Sequence, residues 1–190
     1  MKIQVCGIDP SLRNWGIALG SYDIETGDVV INNISVISPV LPTGKQVRQN
    51  SLDLASAQQL CAATLKAVQG AQAIFVEIPV GSQSARAMCA YGVCIGVLGA
   101  LRAQGIPFTE VTPTEVKMAS AGKKTATKLE MIQWAMNQHP EANWPRYKQN
   151  GVVKVSEAKA EHMADATAAI YAGLACNSFQ QLLPFMQPNS

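Results

Sequence analysis

The sequence predicts an α/β fold: a mixed five-stranded sheet, three antiparallel strands followed by parallel additions, flanked by helices on both faces. Three observations carry this. The first 37 residues contain three β-prone runs whose short connections suit only antiparallel neighbours. From residue 47 onward, helical stretches alternate with short apolar runs. The fourth run is continuously apolar, as strands covered on both faces are.

Residues 3–9 are apolar and end in Asp9-Pro10, so they form a buried strand that stops at a turn. Residues 15–21 form the second strand, and residues 29–37, after the Glu25-Thr26-Gly27-Asp28 turn, the third. Residues 47–68 carry spaced Leu52, Leu60 and Leu65 and predict a long helix. Residues 73–78 form the fourth strand, 82–104 a helix of small residues, and 108–111 the fifth strand. Thr112 and Pro113 open a short helix, cap followed by first-turn proline. A glycine-containing basic loop spans 121–127, and a helix covers 128–137. Residues 139–156 read as irregular, and a loop of that length inside a compact domain is usually functional. The last helix spans 157–176 with Ser156 as its cap. The chain is expected to be one domain over 1–176 with a polar C-terminal tail over 177–190.

Composition narrows the function only a little. At 48% hydrophobic and 15% charged residues, the chain has enough apolar mass for a core and is not a disordered polyelectrolyte. A net charge of +2 permits nucleic-acid binding without arguing for it, so the case rests on where the charges sit. Five cysteines, none in a C-x-x-C pair, predict reduced thiols and a reducing cytoplasm. The N-terminus runs straight into a strand, with no signal-type segment. The apolar stretch 85–101 is too rich in glycine to be expected as a membrane span.

The chemistry is expected from a few acids. Asp9 ends the first strand; Asp-Pro also starts turns, so Asp9 alone decides nothing. Glu77 sits near the C-terminal end of the fourth strand, inside Ile74-Phe75-Val76-Glu77-Ile78, where a charge is costly to bury unpartnered. If the two strands are parallel neighbours, their carboxylates meet at one end of the sheet. On the last helix, His162 and Asp165 lie three apart on one face, beside an apolar stripe of Met163, Ala166, Ile170 and Leu174, and Glu161 borders that face. A solvated polar face is the alternative. Carboxylates crowded together repel, so such a cluster needs cations at neutral pH, and oxygen donors with one imidazole suit Mg²⁺ or Mn²⁺. Two such ions roughly 3.5–4 Å apart support phosphodiester hydrolysis. Lys117, Lys123, Lys124 and Lys128 fall in a stretch without acids, a local positive patch suited to phosphates, with a solvated loop as the alternative.

Together these pieces resemble RuvC-type Holliday junction resolvases of the RNase H-like nuclease superfamily, in a phage-type or divergent form. Gly7-Ile8-Asp9-Pro10-Ser11 with Gly16 resembles the first family motif, and Ile74-Phe75-Val76-Glu77 the second. Pro113-Thr114-Glu115-Val116-Lys117, with Gly122 and Lys128, resembles the basic segment; His162-Met163-Ala164-Asp165-Ala166 resembles the final helix motif. The resemblance covers about residues 1–175. It implies an RNase H-like fold and a homodimeric, structure-selective DNA endonuclease that resolves four-way junctions by two-metal-ion hydrolysis in recombination and repair. It further implies Asp9, Glu77, His162 and Asp165 as the catalytic metal-binding set, and Lys117 and Lys128 as phosphate contacts near the cleaved bond. Many members have an acid where His162 stands, which leaves Glu161 as the alternative ligand. The aromatic that many bacterial members carry after the second acid is absent from Pro79-Val80-Gly81-Ser82-Gln83, with Trp144 and Tyr147 as candidates to replace it. The small-residue helix with Ala87, Ala90, Gly92, Gly96 and Gly99 suits either a dimer contact or close packing on its own sheet. The implied setting is the cytoplasm of a bacterial or phage-infected cell, with branched DNA as partner and no membrane.

Other readings share parts of this pattern. Sugar-kinase and chaperone-type ATPases also place Gly-Ile-Asp on a first strand, but need a second phosphate loop and a larger second domain. A nuclease acting on flaps or replication forks, and a non-catalytic junction-binding protein, stay open as alternatives.

Overall fold

A computed structural model of the chain describes residues 1–44 and 47–186. Its strands and helices run β1 (Lys2–Asp9), β2 (Trp15–Asp23), β3 (Val29–Ile37), α1 (Gln49–Ala67), β4 (Ala73–Glu77), α2 (Ala85–Ala103), β5 (Thr109–Val111), α3 (Pro113–Ala121), α4 (Lys128–Gln138), β6 (Arg146–Gln149), β7 (Val152–Val155), α5 (Glu157–Ala175) and α6 (Asn177–Met186). The main sheet has the order β3-β2-β1-β4-β5. β1 pairs antiparallel with β2 and parallel with β4, and β5 extends the parallel side. This is the mixed sheet the sequence predicts.

The period-2 alternation of strands explains the two cores. Ile3 and Val5 of β1 face the layer built by α3, α4, α5 and α6, whereas Cys6 and Ile8 face α1 and α2. Phe75 of β4 joins the first layer, and Ile74 and Val76 the second. By the same alternation Asp9, two past Gly7, and Glu77, two past Phe75, point toward the α5 side of the sheet.

Helix α5 is buried almost all round rather than along one stripe, because it packs across β1, β2 and β4 and carries α3 and α4 on its outer side. Two strand glycines permit this approach. A Cβ on Gly7 would sit 2.0 Å from the Ala166 carbonyl oxygen, and one on Gly16 would sit 2.2 Å from that of His162. The glycines of the first motif are thus seats for the helix that carries the site.

Four expectations need correction. Residues 139–156 are not irregular throughout: they include the antiparallel hairpin β6–β7, whose turn residues Asn150 and Gly151 both take positive φ, 51° and 77°. Asn-Gly is the signature of a two-residue hairpin turn, which accounts for the hairpin here. Trp144 is buried and its indole donates to the His139 carbonyl at 2.9 Å, so it pins the segment's base and offers no exposed aromatic. The polar tail begins instead as helix α6, because Phe179 is buried edge-on against Phe75 at 5.1 Å; residues 187–190 of that expected tail lie outside the described residues. Ser156 precedes α5 but makes no side-chain cap bond.

Helix α2 differs in another way. By length and hydropathy it is long and apolar enough to cross a membrane. One stripe, Cys94, Val97, Leu98 and Leu101, packs into the α1–α2 core. Its opposite side carries Gly92, Gly96 and Gly99, where an added Cβ would meet nothing within 4 Å. Those glycines therefore do not serve packing on the protomer's own sheet.

Candidate active site

The parallel register sets Ile8 beside Val76, so Asp9 and Glu77 end adjacent strands at the same edge of the sheet. α5, seated on Gly7 and Gly16, delivers His162 and Asp165 to that edge. The His162 Nδ1 lies 2.7 Å from Asp9 Oδ2. These four side chains line one cleft of about 240 Å³ together with Glu161, Ser11 and Tyr91. A larger groove of about 670 Å³ lies between α1 and α2, but its lining is mainly apolar. Its one carboxylate, Asp53, is closed by two 2.7 Å contacts from Arg86, so the reactive groups are in the smaller cleft.

The cleft is electrostatically unbalanced. Burial, then the charges of Asp9 and Asp165, push Glu77 up to about 8, with Lys117 opposing. Burial, then Asp9 and Glu161, push Asp165 up to about 7, with His162 and Lys117 opposing. Burial lowers the affinity of His162 for its proton, but the hydrogen bond to Asp9 and the surrounding carboxylates outweigh it, and its pKa is raised. Burial is the larger cause in both acids, and crowding with other carboxylates without sufficient counter-charge adds to it.

The donor set suits a hard divalent cation: Asp9, Glu77, Asp165 and the His162 imidazole, with Glu161 as a fourth carboxylate in the same cleft. Among the described residues, no lysine or arginine closes an ion pair with Glu77 or Asp165, so their oxygens remain available. As they stand, no three His, Cys, Asp or Glu side chains are drawn together tightly enough to hold an ion among the described residues. His162 is turned onto Asp9 through Nδ1, which leaves Nε2 as the ring nitrogen that could take a cation.

The basic residues divide into two groups. Lys117, on α3, is half-buried and its charge is felt at both Glu77 and Asp165. Lys128 opens α4, with its Nζ 2.6 Å from Glu161 Oε1 across the cleft rim. Lys123 is engaged with Glu130, the N3 residue of the α4 capping box, and Lys124 is exposed. The structure therefore brings Lys117 and Lys128 to the acids, and places Lys123 in a local ion pair. Sequence reasoning missed Tyr91 and Ser11. Ser11 follows Asp9-Pro10 directly and was legible as part of that turn; nothing in a helix of small residues singles out Tyr91.

No family model matches the chain, and no curated protein matches it in sequence. Solved structures do match. One is RuvC of T. thermophilus in complex with a Holliday junction substrate, 19% identical, covering 98% of this chain and 99% of that one, with a TM-score of 0.63. A second Thermus thermophilus RuvC structure is 21% identical, covers 95% of this chain and 96% of that one, and has a TM-score of 0.61. The yeast mitochondrial Holliday junction resolvase Ydc2 is 19% identical, covers 95% of this chain and 82% of that one, and has a TM-score of 0.56. Over nearly its whole length, the chain has the RNase H-like fold of RuvC-type resolvases.

Proposed function

We propose that this protein is a structure-selective, divalent-metal-dependent endonuclease that hydrolyses phosphodiesters in branched DNA and resolves four-way junctions in recombination and repair. The observation that carries the reading is the convergence of Asp9, Glu77, His162 and Asp165 in one cleft, with Lys117 near enough for its charge to act on Glu77 and Lys128 paired with Glu161 at the rim. The likeness to solved Holliday junction resolvases supports the choice of substrate.

Divalent cations, Mg²⁺ or Mn²⁺ and two per site, would supply the activation of water and the stabilisation of the leaving oxygen. The chain's own residues do the rest. Asp9, Glu77 and Asp165 would hold the cations, and His162, turned inward onto Asp9, would be the fourth ligand in preference to Glu161, which pairs with Lys128 at the rim. Lys117 and Lys128 hold the scissile strand by its phosphates, which fixes register without reading sequence. Lys124 adds long-range attraction, and Lys123 does so to the extent that Glu130 releases it.

A four-way junction presents two equivalent strands, and a two-fold protein matches it. The open glycine face of α2, with exposed Met88 and Ile95, is a suitable place for two copies to meet. All five cysteines are free thiols, consistent with action in the cytoplasm.

The test is incubation with four-way junction, flap, fork and linear duplex DNA in Mg²⁺, Mn²⁺ or EDTA. Paired nicks in the four-way junction, dependent on metal, are expected. Preferential cutting of flaps or forks would reassign the substrate; junction binding with no cutting in either metal would make the protein a binding module.

A further inference from the structure

The hairpin β6–β7 stands apart from the main sheet and from the catalytic cleft. We propose that it is a second DNA-binding element, an arm that grips the duplex flanking the cleavage point; this rests on the nuclease reading above. Residues 146–155, Arg-Tyr-Lys-Gln-Asn-Gly-Val-Val-Lys-Val, hold three cations and no acid. All of β6 and most of β7 are exposed, and neither strand pairs with the five-stranded sheet. A ribbon of four residues per strand has too little of its own to bury, so its conformation depends on the turn and on what it packs against. The turn is preset by Asn150 and Gly151.

The pairing register defines two faces. Opposed residues share a face, so Arg146 and Lys148 stand with Val155 and Val153, while Tyr147 and Gln149 stand with Lys154 and Val152. Tyr147 and Lys154 look onto a groove against α4 that Val155 also borders and that holds the acids Glu130 and Glu157, so Lys154 is the cation of the three nearest to counter-charge. The other face carries Arg146 and Lys148 outward beside Val153, which is 56% exposed. A ribbon that is cationic and also exposes valines suits a DNA groove, where cations meet phosphates and short apolar side chains meet base edges and sugars.

Its position fits the same substrate. β7 leads through Ser156 into α5, and His162 lies five residues after the first residue of that helix, about 8 Å along its axis. The groove beneath the ribbon reaches Glu130, two residues beyond Lys128. The arm is thus rooted on the rim where Lys128 meets Glu161. Its strands are about 13 Å long, which matches about four base pairs of duplex rise.

The experiment compares wild-type protein with the triple variant Arg146→Gln, Lys148→Gln, Lys154→Gln, and with a control Lys66→Gln. Lys66 lies in the last turn of α1, which leads into the start of β4, and so sits at the sheet end away from Glu77. Affinity for a four-way junction is measured in Ca²⁺ at several salt concentrations, with hydroxyl-radical footprinting and thermal melts. The triple variant is expected to melt normally, to bind on the order of tenfold or more weakly, and to reduce the log–log salt slope by two to three units. It should lose a protected patch of about four base pairs while keeping protection at the cleavage point. The control should bind as wild type does. Wild-type affinity, slope and footprint in a well-folded triple variant would overturn the arm, as would an equal loss in the control. A wild-type protein that binds no DNA would instead sink the nuclease reading, and the arm with it.

Discussion

Glu77→Gln is expected to abolish cleavage while making the metal-free protein more stable. Burial and the neighbouring charges of Asp9 and Asp165 hold the Glu77 carboxyl at about 8, against 4.5 for an unperturbed glutamate. Between those pH values the folded protein keeps a proton that the unfolded chain has released. Stability is therefore lost as pH rises from about 4.5, and the loss levels off above about 8. At 1.36 kcal/mol per pKa unit, ionisation costs about 5 kcal/mol by pH 8.5, about 3 at pH 7 and under 1 at pH 5. The amide has the same shape and no proton to lose. A domain of this size shifts its Tm by about 2–4 °C per kcal/mol, so the variant should melt on the order of 10 °C higher in EDTA at pH 8.5. The gap should close to within about 3 °C at pH 5. Thermal denaturation followed by circular dichroism, at both pH values with EDTA and again with Mn²⁺, measures this. Added Mn²⁺ should raise the wild-type Tm far more than that of the variant, because ligand binding stabilises only a fold that binds it. A variant no more stable than wild type in EDTA at pH 8.5, or a gap that does not depend on pH, would refute the picture of an uncompensated acid cluster.

Two further outcomes follow from the cleft. Lys117→Ala should weaken junction binding and lower the log–log salt slope by about one unit; an unchanged slope in equilibrium titrations would remove Lys117 from the phosphate contacts. His162→Asp should retain cleavage and shift metal preference from Mn²⁺ toward Mg²⁺, because carboxylate is a harder ligand than imidazole, whereas Glu161→Gln should matter little. An inactive Glu161→Gln beside a His162→Ala that cleaves normally in both metals would transfer the fourth ligand to Glu161.

Most of the fold was legible because strand periodicity and short connections leave few arrangements. The acids were legible for the same reason: Asp9 and Glu77 break apolar strands, and a charge in such a place needs a purpose. What was not legible depended on contacts between distant segments. Phe179 finds Phe75 across about a hundred residues, and that contact turns a nominal tail into α6. α2 was seen as a helix, but only three dimensions show that its glycines face outward and that Tyr91 reaches the cleft. The β6–β7 hairpin is a different case. Its Asn150-Gly151 signal was local, and it was hidden by reading the surrounding polar and basic residues as loop.

Sequence spacing placed Glu161 beside His162 on the helix and could not separate their roles, since both border the face that carries Asp165. The two side chains differ in what each one touches. Glu161 reaches Lys128, and its side chain is 21% exposed at the rim; His162 turns inward onto Asp9. The two contacts also have different consequences for charge. The first joins an acid to a base that phosphate binding would otherwise recruit, so DNA must compete with Glu161 for Lys128. Its release would leave a further carboxylate facing Asp165, whose proton affinity Glu161 already raises. The second holds the His162 ring through Nδ1, so that Nε2 is the nitrogen left for a cation. Phosphate on Lys128 and cation on His162 thus act on neighbouring residues of one helical turn. Added negative charge at Asp165 favours a cation, so each binding event should assist the other, by the same factor in both directions.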